Sequence, residues 1–306
     1  MNSCRLSIIV TAHNCEKWLQ GTLDSIVASA GSALSCCDIV IINDASEDNT
    51  QYIIETFAAA YPQVRYQQTS LRNIGKVRNY AVTQARGDYV LMVDGDDKLL
   101  PGAVDAHLKI LTEQSPDIFL SKLIESRNGK TSRAAVWHNR SPETLTNNEA
   151  ITRFLIHRDI QAHFIGQYFL RRLLQEYPFP PFICYEDAWL FPLLLIKSKK
   201  ILYADSGFYL YNKHASSLST RIHPDKINCL LTATQHMDEV LPSHYQPLIT
   251  CHWIEVANRH SEILKATGEW EKVIKRINQQ SLLAFLFNSQ IRWSYKRKML
   301  KVRRLK

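Results

Sequence analysis

Several things are missing from this 306-residue sequence, and each absence removes a class of protein. No apolar run approaches the roughly 20 residues that a membrane-spanning helix needs. The longest are "LFPLLLI" (190–196) and "LLAFLF" (282–287). The cysteines, Cys4, Cys15, Cys36, Cys37, Cys184, Cys229 and Cys251, are odd in number and scattered, with no C-x-x-C pair to suggest zinc. Reduced thiols are expected. The N-terminal "MNSCRLSIIVTAHN" lacks a basic region followed by a long apolar stretch and a small-residue cleavage site. It reads as a first β-strand, and a cytoplasmic location is expected. No G-x-G-x-x-G follows that strand, which disfavours a dinucleotide-dependent oxidoreductase. "TAHNCEKW" (11–18) contains no glycine at all, which counts against a sugar-phosphate nucleotidyltransferase with a Gly-rich basic loop.

A basic excess is also missing from most of the chain. The net charge is +8, but residues 292–306, "RWSYKRKMLKVRRLK", hold eight basic residues and no acid. Removing them leaves 37 − 8 = 29 basic residues against 29 acidic ones. A neutral body argues against a nucleic-acid-binding face. A basic tail after "QQSLLAFLF" suits an anionic membrane surface, so peripheral contact through 280–306, at the inner face of the cell membrane, is a separate expectation. A solvated basic helix and a subunit contact are the alternatives for this tail.

What is present is an alternation. Apolar strands ("RLSIIVTA", "CDIVIIND", "DYVLMVD") and a short third strand, "VRYQQT", alternate with segments of helical spacing. Continuous apolar strands of this kind predict an α/β fold, a Rossmann-like, mostly parallel central sheet with helices on both faces. "PDIFLSKLIES" predicts a further strand, 127–147 a polar loop or ribbon, and "KKILYADSGFYLYNKHASSLST" two short strands and a polar end. Beyond about residue 223 the pattern is helical. The division expected is 1–222 for a ligand-binding and catalytic domain and 223–306 for a helical C-terminal region with a basic tail.

Open parallel sheets bind ligands beyond the carboxyl ends of their strands. Three polar clusters fall there: Thr11 to Asn14, Asn43 to Asp48, and Asp94 to Asp97. In "DGDD", Asp94 and Asp96 lie two apart on an extended segment and point the same way, and Gly95 lets a ligand approach. Two hard oxygen donors suit Mg²⁺ or Mn²⁺. Asp97 is read as support for the turn or a cap for the helix after Pro101. Asp44 is placed to accept hydrogen bonds from an imide or a sugar hydroxyl, while Ser46, Asp48 and Asn49 read as a helix cap. In "NIGKVRN", Gly75 permits a tight turn, and Lys76 and Arg78 present positive charge to a phosphate or a base, a solvated helix face being the alternative. Glu186 and Asp187 in "YED" pair two acids in an apolar setting, which raises one carboxyl pKa. A helix N-terminal acid pair is the alternative there. In "YNKHASSLST", His214 is a metal or phosphate ligand, or an ordinary surface or core residue.

The ordered set "TAHN", "NDASED", "NIGKVRN", "DGDD" and "YED", spanning about residues 5–220, resembles the inverting family-2 glycosyltransferases of the GT-A fold. The sequence departs from the usual P-x-Y-N at "TAHN" and from A-R-N at "KVRN". The resemblance implies a nucleotide pocket lined by Thr11, His13, Asn14, Asp44, Lys76 and Arg78. It implies Asp94 and Gly95 near ribose or metal, Asp96 on the metal, and His214 and Ser217 near the diphosphate. Asp187 is implied as the catalytic base, with Glu186 beside it. The implied partners are a UDP-sugar donor, a hexose or N-acetylhexosamine, and a glycan or lipid-linked acceptor of bacterial surface polysaccharide synthesis. A non-catalytic sugar-binding or scaffold protein is the reading from another class, and it would not require both "DGDD" and "YED".

Overall fold

The computed structural model describes residues 5–127, 130–131, 135–213 and 223–304. Its first half is the predicted alternation. β1 (Leu6–Ala12) leads to α1 (Leu19–Ala30), β2 (Cys37–Asp44) to α2 (Thr50–Ala60), and β3 (Val64–Thr69) to α3 (Ile74–Gln84). β4 (Tyr89–Asp94) and the short β5 (Lys98–Leu99) precede α4 (Ala103–Gln114). Strands β1 to β4 are parallel, with Thr11 opposite both Ile42 and Asp94, and Asp44 opposite Thr69. This register brings the polar strand ends to one level, which is what opens a shared crevice.

β1, β2 and β4 bury side chains on both faces, as their mainly apolar runs require, whereas the edge strand β3 is mostly exposed. Leu6, Ile8 and Val10 of β1 pack with Leu23 and Ile26 of α1, Ile54 and Phe57 of α2 and Leu108 of α4. Ile9 faces the other way, with Val40, Met92 and α3 residues Val77 and Ala81. Successive residues of one strand thus serve opposite layers, as the period of two requires.

The second half is more irregular. β6 (Ile118–Arg127), β7 (Lys130–Thr131), β8 (Glu143–Leu145), α5 (Asn147–Leu155), β9 (Tyr168–Leu170), α6 (Arg171–Glu176), α7 (Glu186–Lys197) and β10 (Ile201–Lys213) follow in turn. The sheet order is β3-β2-β1-β4-β9-β6-β10-β5, with β9 antiparallel to both its neighbours and β5 antiparallel to β10. Two short strands were expected over "KKILYADSGFYLYNK", but 201–213 is a single strand. Its register against β6 shifts between Ala204 and Tyr209, and the chain passes this irregularity without turning back. At Gly207 an added Cβ would lie 2.7 Å from the Lys122 carbonyl oxygen, so the glycine serves strand contact and not a turn. Within the segment read as a loop or ribbon, β8 pairs antiparallel with β10.

Helices α8 (Pro224–Val240), α9 (Gln246–Ala266), α10 (Trp270–Asn278), α11 (Leu282–Phe287) and α12 (Trp293–Arg304) fill the C-terminal region. Their apolar residues, among them Met237, Ile254, Ile277 and Val302, join the layer that includes Ile9 and Met92. The helical region therefore covers one face of the same sheet.

Candidate active site

The three strand-end clusters meet through hydrogen bonds that tie one loop to the next. Asn14 has left-handed backbone (φ 48°), as does Ala45 (φ 55°). This lets the two strands turn sharply as they leave the sheet. The Asn14 amide donates to Ser46 Oγ (2.9 Å), and its side-chain oxygen accepts from the Glu47 amide (2.8 Å). Asp48 accepts from the Thr50 amide (3.0 Å), the capping contact expected of it, and also from the Glu16 amide (3.1 Å). His13 is exposed, and its Nδ1 lies 2.6 Å from the Asp44 carbonyl oxygen. A carbonyl can only accept, so Nδ1 carries the proton.

Asp44 is buried and already occupied. Its Oδ1 accepts from Thr69 Oγ1 (2.9 Å) and the Leu71 amide (2.6 Å), and its Oδ2 from the Arg72 amide (2.8 Å). The carboxylate thus shapes the loop after β3, in addition to standing at the crevice rim. Lys76 is exposed in the first turn of α3, whose cap is Asn73 accepting from the Lys76 amide (3.0 Å).

In "DGDD" the three carboxylates have separate surroundings. Asp94 Oδ1 accepts from Thr11 Oγ1 (2.9 Å), across the β1–β4 register. Asp96 is half-buried. Asp97 is fully buried; it accepts from Tyr209 Oη (2.6 Å) and the Asn212 amide (2.7 Å). The reading of Asp97 as a cap for the following helix is corrected: α4 is capped by Gly102, and Asp97 anchors β10. Tyr209 Oη in turn accepts from the Asp94 amide (3.1 Å), so β10 fixes the end of β4. Burial pushes the Asp97 carboxyl up to about 8, with the Asp94 charge adding to it.

Two glycine readings also change. A Cβ on Gly95 would lie 2.8 Å from Cys15 Sγ and 3.2 Å from the Thr11 carbonyl oxygen. The space above Gly95 is filled by β1 and its exit, so close approach there is internal packing and not room for a ligand. A Cβ on Gly75 would lie 2.1 Å from the Pro180 carbonyl oxygen. Gly75 lies inside α3 and admits the 180–182 backbone; it makes no turn.

The most consequential contact is one the sequence left open. Arg78 is only 4% exposed and does not offer its charge to the open crevice. Its Nη1 donates to Glu186 Oε1 (2.6 Å) and Asp187 Oδ1 (2.5 Å), and its Nη2 lies 3.8 Å from Asp94 Oδ1. One guanidinium thereby holds the end of β4 beside the start of α7. Its planar fork suits several carboxylates at once. Tyr185, with φ 61°, leads the chain into α7, and both acids fall in its first turn, where the helix dipole favours them.

The two acids differ. Glu186 is buried, and burial pushes its carboxyl up to about 8, with the Asp187 charge adding and Arg78 opposing. The upward shift expected of one member of the pair therefore falls on Glu186. Asp187 is half-buried, and its Oδ2 accepts from the Phe164 amide (3.4 Å). Of the two, Asp187 is the one that solvent and a substrate reach.

Sequence reading missed Tyr209, Asn212 and Phe164. Tyr209 and Phe164 are wholly buried and bond through one hydroxyl or one amide, so no charge or motif marks them. His214 and Ser217 lie outside the described residues. Among the described residues no group of three or more His, Cys, Asp or Glu is arranged to hold a metal ion. The donor chemistry of Asp94 and Asp96 nevertheless suits a hard cation that takes its remaining ligands from phosphate and water. Burial raises the Asp94 carboxyl, with Arg78 opposing and the Asp96 charge adding to the rise.

A mostly parallel sheet, acids at the ends of β2 and β4 on either side of β1, and a carboxylate pair opening α7 define a nucleotide-sugar transferase fold of the GT-A type. The model of glycosyl transferase family 2 matches residues 7–177, more than half of the chain, and the protein belongs to that family. It is similar to glycosyltransferase GlyA of Streptococcus pneumoniae, at 25% identity over 256 residues, which is 80% of this chain and 36% of that protein. It is also similar to the poly(ribitol-phosphate) β-N-acetylglucosaminyltransferase TarS of Staphylococcus aureus, at 30% identity over 149 residues, 48% of this chain and 26% of TarS. The chain thus spans about a third of the length of such relatives. The structure of S. aureus TarS 1–349 in complex with UDP-GlcNAc superposes with a TM-score of 0.69 at 20% identity, covering 90% of this chain and 81% of that one. A mannosyltransferase from Pyrobaculum calidifontis in complex with GDP-Man and Mn²⁺ gives 0.55 at 15% identity, covering 98% and 86%. These likenesses establish the fold.

Proposed function

We propose that the protein transfers a sugar from a UDP-sugar to a hydroxyl of a bacterial surface glycan or its lipid-linked precursor, with inversion. The observation that carries this is the Arg78 clasp, which holds Asp187 and Asp94 on one guanidinium. A partly exposed carboxylate and the acidic end of β4 then face the same crevice. In this reading residues 1–222 carry the donor site and the catalytic groups.

Thr11, His13, Asn14 and Asp44 form the wall for the nucleotide, with Lys76 at its rim. Asp94 and Asp96 would hold Mn²⁺ or Mg²⁺, and the chemistry such an ion supplies there is neutralisation of the diphosphate's charge. Asp187 takes the proton from the acceptor hydroxyl, whose oxygen attacks the anomeric carbon while the C–O bond to the diphosphate breaks. Glu186, held by the same Arg78 nitrogen, fixes the position of its neighbour. UDP is supported by the fold shared with TarS, whose complexes contain UDP-GlcNAc and UDP.

The test is UDP release from a panel of UDP-hexoses and UDP-N-acetylhexosamines, with acceptor extracts and with or without Mn²⁺. The expected result is release from one donor above all, abolished by chelation. No release from any donor would favour a sugar-binding or scaffold role.

A further inference from the structure

The last two helices leave four large apolar side chains in solvent, Leu283, Phe287, Trp293 and Leu300. On α11, Leu283 is 69% exposed and Phe287 83%, four residues apart and so on one side of the helix. Between them Phe285 turns inward and is wholly buried, which fixes the orientation of the segment. Trp293, the first residue of α12, is 72% exposed.

α12 is divided in the same way. Met299 and Val302 are buried against the core. Trp293, Arg297, Leu300, Lys301 and Arg304 are all exposed, at spacings of four, three, one and three residues. Those spacings put them on one outward face. Lys298 is bound to Glu255, and Arg303 to the Gln280 carbonyl, so these two are part of the protein's own packing. Arg297, Lys301 and Arg304 have no acidic partner among the described residues. The face therefore combines large apolar groups with uncompensated positive charge.

We infer that α11 and the outward face of α12 form a docking surface for an anionic lipid bilayer. A protein partner of ordinary composition would meet an aromatic and aliphatic row with acids placed to match three cations. A bilayer bearing anionic headgroups supplies both chemistries at once: an interface that accepts Phe287 and Trp293, and a layer of negative charge for the arginines and lysine. No helix among the described residues is long and apolar enough to cross a membrane, so the contact is with the surface. This inference does not depend on the identity of the donor sugar.

Co-sedimentation of the full chain with phosphatidylcholine vesicles, with and without phosphatidylglycerol, tests it. The expected result is binding to the anionic vesicles alone, weakened by added salt. Phe287→Ser with Trp293→Ser is expected to reduce that binding at least tenfold. Arg297→Gln with Lys301→Gln is expected to reduce it about fivefold per charge removed. All four residues are exposed, so thermal melting should not change; if the first pair lowers it, the charge variant carries the test alone. Equal binding to both vesicles, no binding, or unaltered binding by the charge variant overturns the inference. So does a concentration-dependent dimer that Phe287→Ser dissolves in the absence of lipid binding.

Discussion

Asp187→Asn is expected to lower sugar transfer by about 10²- to 10⁴-fold, the usual contribution of a positioned general base. UDP affinity should stay near the wild-type value. The side-chain oxygen of asparagine can still accept from Arg78, so the clasp loses one charge and keeps its shape. What is lost is the ability to take a proton. Glu186→Gln is the control, because Glu186 sits behind its neighbour and its burial favours the neutral form. A neutral amide of the same shape should retain most of the activity. Steady-state rates of UDP release with the identified donor, beside calorimetric UDP affinities, separate the two effects. Wild-type transfer by Asp187→Asn, or a greater loss with Glu186→Gln, would move the base assignment to Glu186 or elsewhere.

Arg78→Ala is expected to cost about 3–5 kcal/mol of stability, as removal of one partner from a buried ion pair does. Three carboxylates depend on this guanidinium: Glu186 and Asp187 by direct hydrogen bonds and Asp94 at longer range. Without it, Asp94 and Asp187 face each other in a poorly solvated space with no cation between them. Transfer should fall with stability, because the start of α7 is then free to move away from β4. Arg78→Lys should recover little, since one ammonium cannot reproduce the planar fork. Urea unfolding followed by circular dichroism gives the stability, and an unchanged midpoint would show that the clasp is not structural.

This clasp explains why some of the site was legible in the sequence and some was not. Each acidic cluster stands at the end of a strand whose apolar run is continuous, so "NDASED" and "DGDD" could be placed in the crevice from local pattern alone. Arg78 and the two acids of α7 are more than a hundred residues apart along the chain, and nothing local distinguishes a cation facing solvent from one buried among carboxylates. Gly75 and Gly95 were read as freedom for a turn or a ligand. In both cases the missing Cβ is space taken by another part of the same chain, the Pro180 carbonyl and Cys15. β9 escaped because three residues are too few to show a period, yet it inserts antiparallel between β4 and β6. The single strand β10 was divided because "DSG" has the composition of a turn. Beyond 223 the sequence showed a helical pattern without marking where one helix ends and the next begins, and the structure divides it into α8 to α12.

The central claim is that the end of β4 receives the diphosphate of the donor with a divalent cation. Titration of UDP into the protein, with and without Mn²⁺, tests it most directly when wild type and Asp96→Ala are compared. The half-buried Asp96 lies outside the Arg78 clasp, so its loss should spare the fold. The predicted result is tighter UDP binding with Mn²⁺ in the wild type, and loss of that metal-dependent gain in Asp96→Ala. Equal UDP affinity with and without Mn²⁺, or a full metal effect in Asp96→Ala, would contradict the account.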